Sequence, residues 1–350
     1  MMITKRNGFF TLMALTLLTF TAAAKQSFAV VLTDPFKVLQ VWPLSADDRW
    51  DNVILDAKAQ LLYISRATLV QVVDTKTGKL AGEITGFQHT HGVALDTAGK
   101  YGYISDGEAN QVVVFDRATR KIVARIDAPT GPDFIIFEPK TERVLAFNHT
   151  SYDATVIDSK TFKIIATIPL PGEPEGAQAD GTGTIFLNIE TAHALVRIDA
   201  QQLKVTATWP LAPCTRPTGL GFDVAHRRLF SVCGNQKLVA VDTSNGKVVS
   251  ESAIGARADG VAYDLKNALV FTSNGDGTLS IFSQQSPDKY ELVQTLATRV
   301  GARTIASDPT AKFLYLVTAY LGPTPAPTAE TPKPRASILP NTFVVLKVGQ

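Results

Sequence analysis

The sequence predicts an all-β fold, a seven-bladed β-propeller whose ring is closed by the N-terminal strand pairing with the C-terminal strand. Three observations carry that expectation. A short phrase recurs in which aspartate ends an apolar strand, a polar turn follows, and lysine opens the next strand five positions on. Its copies start at Asp74, Asp116, Asp158, Asp199 and Asp242, so they lie 42, 42, 41 and 43 residues apart. One four-stranded blade consumes about that length. A second anchor, an apolar strand ending in an acid, occurs seven times, at Asp56, Asp96, Glu138, Asp180, Asp223, Asp264 and Asp308. Third, residues 34–44 read as a fourth strand with no first three before it, and residues 343–347 as a third strand with no fourth after it. Joining the two completes a blade and leaves no exposed edge.

The chain opens on Lys5 and Arg6, an apolar run from Phe9 to Phe20, and small residues at Ala22, Ala23, Ala24, Ser27 and Ala29. This is the layout of a cleaved signal peptide over residues 1–29, with cleavage after Ala24 as the alternative. The run falls short of the ~20 residues needed to span a bilayer. Export to a bacterial periplasm is the expectation, and residues 30–350 form the propeller. Removing Lys5, Arg6 and Lys25 leaves 34 − 3 = 31 bases against 32 acids, a charge of −1. No strong basic field is available to gather nucleic acid.

Along the repeats, first strands end at the acidic anchors, and second strands include residues 61–65, 101–105 and 144–148. Four blades place glycine four residues before the anchor, at Gly92, Gly176, Gly219 and Gly260. First strands converge on the axis, where backbones crowd. Blade six carries Ser283 in place of the third-strand aspartate. Blade seven carries a proline-rich insertion at 321–340 between its second and third strands. Proline cannot join a ladder, so this is a loop. It is expected to overhang the channel mouth, the face shared by the b–c and d–a loops.

The stretch Lys163-Ile164-Ile165-Ala166-Thr167-Ile168-Pro169-Leu170-Pro171-Gly172 resembles the fourth strand of YVTN-repeat propellers. Gly260-Val261-Ala262-Tyr263-Asp264 resembles their first strand. Phe271-Thr272-Ser273-Asn274 and Tyr103-Ile104-Ser105-Asp106 resemble degenerate forms of the Tyr-Val-Thr-Asn signature. The similarity covers about residues 33–348. It implies an exported, YncE-like member of the propeller group that includes the quinoprotein amine dehydrogenase β-chain, with WD40-like repeats. The motif specifies fold far more than function.

Five positions before each anchor stand Asp51, His91, Asp133, Glu175, Thr218, Asp259 and Arg303, polar residues on an otherwise apolar strand. Two positions earlier come Arg49, His89, Glu173, Arg216 and Arg257, with glycine in the other two blades. The repeat puts these groups near the axial channel, where a ring of ionisable side chains is a candidate ligand site. The expected site is Asp51, His91, Asp133, Glu175, Arg216, Arg257, Asp259 and Arg303. His89, His91 and His149 share the same face and form the alternative, a divalent-metal set. Otherwise no cofactor is expected. Cys214 and Cys233 bracket one hairpin and, after export, are expected to form a disulfide.

No nucleophile elbow, phosphate loop or His-Glu-x-x-His occurs. The reading is therefore a monomeric, non-catalytic periplasmic propeller that binds a small ligand or a protein partner at the channel mouth. The alternative is a metal-assisted lactonase- or lyase-like hydrolytic propeller. Single-stranded DNA binding through Arg49, Arg216, Arg257 and Arg303 stands third.

Overall fold

A computed structural model describes residues 1–2, 34–45, 48–308, 312–328, 331–332 and 334–350. The expected signal peptide lies outside the described residues, apart from Met1 and Met2. Seven four-stranded antiparallel sheets make up the body.

β1 (Lys37–Pro43) comes first. Blade one follows with β2 (Trp50–Asp56), β3 (Leu61–Arg66), β4 (Leu69–Asp74) and β5 (Leu80–Thr85). Blade two has β6 (Thr90–Leu95), β7 (Tyr101–Asp106), β8 (Gln111–Asp116) and β9 (Ile122–Asp127). Blade three has β10 (Pro132–Glu138), β11 (Arg143–Asn148), β12 (Asp153–Asp158) and β13 (Lys163–Pro169). Blade four has β14 (Pro174–Ala179), β15 (Thr184–Ile189), β16 (Ala194–Asp199) and β17 (Lys204–Pro210). Blade five has β18 (Pro217–Asp223), β19 (Arg228–Cys233), β20 (Lys237–Asp242) and β21 (Val248–Ala253). Blade six has β22 (Ala258–Asp264), β23 (Leu269–Asn274), β24 (Thr278–Ser286) and β25 (Lys289–Ala297). Blade seven has β26 (Ile305–Ser307), β27 (Phe313–Thr318) and β28 (Val344–Gly349), and β1 completes it by pairing with β28.

The closing pair runs from Lys37 opposite Gly349 to Pro43 opposite Val344. Its core joins the chain's two ends: Trp42, Val53, Leu62, Ile64, Val317, Phe343 and Val345 pack together between blades seven and one. The other cores likewise lie between neighbouring blades, which is why second and third strands are buried on both faces. Each first strand contacts the next around a closed circle, from β2 through β26 and back.

The recurring phrase has a local cause. Asp158 Oδ1 accepts the Lys160 and Thr161 N–H groups and the Thr161 hydroxyl. Asp74, Asp116, Asp199 and Asp242 do the same for their own c–d turns. Aspartate suits this because its short carboxylate reaches backbone two and three residues on. At the axis, a Cβ on Gly219 would stand 2.3 Å from the Asp259 carbonyl oxygen, and one on Gly176 2.7 Å from that of Thr218. Backbones of neighbouring first strands leave no room for a side chain there.

Cys214 and Cys233 form the disulfide, with 5.4 Å between their Cα atoms. Residues 321–340 connect β27 to β28. The base of this segment is laddered by Leu321 against Ile338 and by the Gly322 N–H to the Ser337 carbonyl at 2.8 Å.

Candidate functional site: an acidic ring at the channel mouth

Asp51, His91, Asp133, Glu175, Thr218 and Asp259 are each the second residue of a first strand, and Arg303 lies just ahead of β26. In the first six blades the ladder slips there: Trp50 pairs with Arg66, yet Val53 pairs with Ile64. The same slip follows Thr90, Pro132, Pro174, Pro217 and Ala258. A bulge re-aims the side chain it carries, so one local irregularity repeated around the circle turns polar residues away from the apolar blade faces.

Hydroxyls from the second strands stitch these bulges to the next blade. Ser105 Oγ accepts the Gly92 N–H at 2.8 Å and donates to the carbonyl of Asp133. Ser65 accepts the Asn52 N–H at 2.9 Å and donates to the carbonyl of His91. Ser273 donates to Arg303, and Asn188 reaches the Thr218 carbonyl at 2.8 Å. Ser105 and Ser273 are the third residues of the two signature-like tetrapeptides. The motif's hydroxyl therefore anchors the backbone of ring residues.

Half of the ring is a chain of alternating charge. Asp259 Oδ2 meets Arg303 Nε at 3.1 Å, and Arg303 Nη2 meets Asp51 Oδ1 at 3.2 Å. Asp51 Oδ2 bonds His91 Nδ1 at 2.8 Å, and that nitrogen is 3.5 Å from Asp133 Oδ1. Asp133 Oδ2 then faces His149 Nδ1 at 3.7 Å, and His149 Nε2 meets Glu173 Oε1 at 3.1 Å. Alternation fails in the other half. Asp133, Glu175, Thr218 and Asp259 follow one another with no cation among them. Among the described residues Glu175 has no hydrogen bond or ion pair.

His91, Asp133 and Asp259 keep 25%, 28% and 25% of their side-chain surface exposed. A group in a channel wall meets some water, but protein fills most of the volume around it. Burial pushes the Asp133 carboxyl up to about 6, against the pull of His91 and His149 and with the push of Asp51. Burial likewise lifts Asp259 to about 6, although Arg303 opposes it. Burial together with Asp259 and Asp133 holds Glu175 well above the usual carboxylate range. Burial also works to raise Asp51, but the His91 bond and the Arg303 charge outweigh it and hold that carboxyl low. His91 ends up raised, because Asp51 and Asp133 overcome the burial that disfavours its charged form.

Comparison with known proteins follows the same lines. No family model matches the chain. Over 146 residues it is 29% identical to a Salmonella typhimurium protein described as "Uncharacterized protein YncE", across 40% of this chain. It is 28% identical over the same length to the Salmonella typhi protein of that description. The chain spans 41% of the length of these relatives. The chain is a seven-bladed propeller, similar to YncE over these 146 residues.

Solved structures agree on the fold. The chain superimposes on Kuenenia stuttgartiensis hydrazine synthase with a TM-score of 0.67 at 18% identity, covering 78% of this chain and 94% of that one. On the WD40 repeats of RRP9 the TM-score is 0.73 at 9% identity, covering 91% and 98%. Likeness at these identities is likeness of fold.

Six of the eight expected site residues line the ring: Asp51, His91, Asp133, Glu175, Asp259 and Arg303. Arg216 and Arg257 stand at its rim instead. Both have left-handed backbone, φ 51° and 57°. Arg216 is turned onto Glu190, Nε to Oε1 at 2.6 Å, and Arg257 onto the Gly275 carbonyl at 2.8 Å. The three expected metal histidines do not meet at one point. His89 stacks on His91 with ring centroids 4.8 Å apart. His91 groups with Asp51 and Asp133, and His149 with Glu173 and Glu175. Glu190, buried at the end of β15, was not singled out by the sequence; the repeat offset that marks the ring does not reach it. A separate cavity of about 340 Å³ on the opposite face has the other sign, with Lys76, Lys312 and Lys347 against Asp308.

Proposed function

We propose that this protein is an exported, non-catalytic binding propeller whose ligand carries positive charge and docks at the channel mouth against Asp133, Glu175 and Asp259. One observation carries the reading: the first strands between Asp133 and Asp259 supply no cation, so the Glu175 carboxylate has no ion-pair partner among the described residues and its two acidic neighbours are paired on their outer sides only. Like charges held together on backbone that neighbouring blades fix in place destabilise the free protein, and a cation relieves them. The proline-rich insertion is tied beside the first strand of blade one at Ala336, whose carbonyl accepts Arg49 Nη2 at 2.8 Å. The leader pattern and the disulfide support export to an oxidising compartment.

The test is a thermal-shift and calorimetric titration with putrescine, with acetate as the control. Putrescine raises Tm and binds saturably, acetate does neither, and Asp259→Asn weakens putrescine at least 10-fold. Undiminished binding in the combined Asp133→Asn, Glu175→Gln, Asp259→Asn variant sinks the reading.

The Asp51–His91 pair favours a second reading, hydrolysis of a small ester or lactone. An imidazole bonded to a carboxylate at 2.8 Å has the arrangement of a general base oriented by an acid. A lactone panel turned over by the wild type but not by His91→Ala supports it. Binding of single-stranded DNA is the weakest of the three, because Arg303 and Arg216 already face carboxylates.

A further inference from the structure

We infer that His149, Glu173 and Glu175 bind one divalent first-row metal ion, with Asp133 orienting the histidine. The inference rests on the cation-site reading above and names one occupant of it. Glu173 and Glu175 flank the buried Pro174 on an extended segment, and residues two apart on a strand project to the same side. His149 reaches them from the loop after β11 in the neighbouring blade. The three donor atoms lie within 4.8 Å of one another. His149 Nε2 and Glu173 Oε1 are already 3.1 Å apart. Neighbouring ligands of a tetrahedral zinc-like ion stand ~3.4 Å apart, so a rotation of the Glu175 carboxylate closes the set.

A second observation points the same way. His149 Nδ1 is fully buried and makes no hydrogen bond. The group it faces is Asp133 Oδ2, at 3.7 Å. A histidine that gives one ring nitrogen to a metal commonly donates the other N–H to a carboxylate, and Asp133 stands in that place. Asp51, His91 and Asp133 form a comparable triad, but it is served by cations of its own. His91 bonds Asp51 at 2.8 Å, and Arg303 lies 3.2 Å from the same carboxylate. A metal there displaces a proton and faces a guanidinium. At Glu175 it meets carboxylate with no partner among the described residues. One imidazole and two carboxylates with open positions suit Zn²⁺ or Mn²⁺.

The experiment titrates ZnCl₂ and MnCl₂ into the chelator-treated, disulfide-intact protein by calorimetry. One equivalent of at least one ion binds and competes with putrescine. His149→Ala and the isosteric Glu175→Gln weaken it at least 100-fold, Asp133→Asn ~10–100-fold, and His226→Ala, whose imidazole bonds Asp223 on the opposite face, less than threefold. Thermal unfolding of each variant confirms that it is folded. Absence of saturable binding of both ions overturns the inference, as does loss in His91→Ala with retention in His149→Ala. If putrescine still binds through Asp259 while neither metal does, only the metal assignment falls. If putrescine fails as well, the cation-site reading falls with it.

Discussion

Each first strand has an acid at its far end, and in four of the seven blades a second acid at its mouth end; the two sets behave differently. At the far end, Asp96 accepts the N–H groups of Gly99, Lys100 and Tyr101 within its own turn. Glu138 takes those of Lys140 and Thr141, and that of Gly183 from the next blade. Asp56, Asp180, Asp223, Asp264 and Asp308 likewise bond turn N–H groups. At the mouth end, among the described residues, Asp51, Asp133, Glu175 and Asp259 accept no backbone N–H at all. A carboxylate that satisfies its own turn serves the fold. A carboxylate buried beside other carboxylates is a cost to the fold, which the proposed cation would offset.

The largest effect should come from reversing the two roles. Glu138 is fully buried and satisfies three N–H groups and the Thr141 hydroxyl. Glu138→Ala strands them, at ~1–3 kcal/mol for a buried group left unpaired, so roughly 3–4 kcal/mol in all is expected in urea unfolding. Glu175→Gln, at the other end of a first strand, should cost nothing or stabilise. Equal losses in the two variants break the distinction.

Most of the fold was legible because it is periodic. Turn aspartates, acidic anchors and axial glycines each recur at a fixed offset, and a repeated local need leaves a repeated residue. The position of the ring was legible for the same reason. Its partnerships were not. That Arg303 serves Asp51 and Asp259, or that His91 and His149 fall into separate triads, depends on side-chain reach between blades some 40 residues apart, which no offset encodes. Arg216 and Arg257 stand two positions before the ring offset, in left-handed backbone, and bond Glu190 and the Gly275 carbonyl.

Of the mouth set, Asp133, Glu175 and Asp259 should also titrate in the opposite sense to the turn set, whereas Asp51 is held low with it. Asp259 has its folded pKa raised to about 6 from 3.8, so the folded protein takes up its proton first. Its penalty is full above about 6 and relieved as pH falls toward 3.8, on the order of 3 kcal/mol. The turn acids Asp158 and Asp242 are held low, chiefly by the Thr161 N–H for Asp158 and, for Asp242, by Ser244 bonds that outweigh burial. Their stabilisation is present above the ordinary aspartate range and lost as pH falls through their lowered values. Stability should therefore peak near pH 4, and Asp259→Asn should raise Tm most at pH 8, less at pH 5 and little near pH 4. A wild-type maximum at pH 8, or no gain in that variant, contradicts the assignment.

Ser105 links the two sets, because it holds the mouth-end bulge from a second strand. It is fully buried, bonds Gly92 N–H at 2.8 Å and donates to the Asp133 carbonyl. Ser105→Ala removes both bonds at once, with an expected cost of about 1–2 kcal/mol. The more telling readout is local. Amide exchange at Gly92 and Ile135 should quicken more than at Lys100 or Tyr101, whose turn Asp96 still holds.

The smallest effect is expected at a single copy of the phrase that revealed the repeat. Asp158→Ala removes the bonds to Lys160, Thr161 and the Thr161 hydroxyl, all at an exposed turn where water replaces them. A local side-chain-to-backbone motif of this kind is worth about 0.5–1 kcal/mol. One copy in five is then nearly dispensable, although the set defines the architecture. Repetition marks a need that every blade shares, and its strength in sequence does not measure the energy at any one site. The unrepeated residues of the ring carry the reverse lesson, since Glu175 has no counterpart glutamate in any other blade. A loss above 2 kcal/mol in Asp158→Ala, measured by urea unfolding, would show that the turn nucleates its blade and does more than cap it.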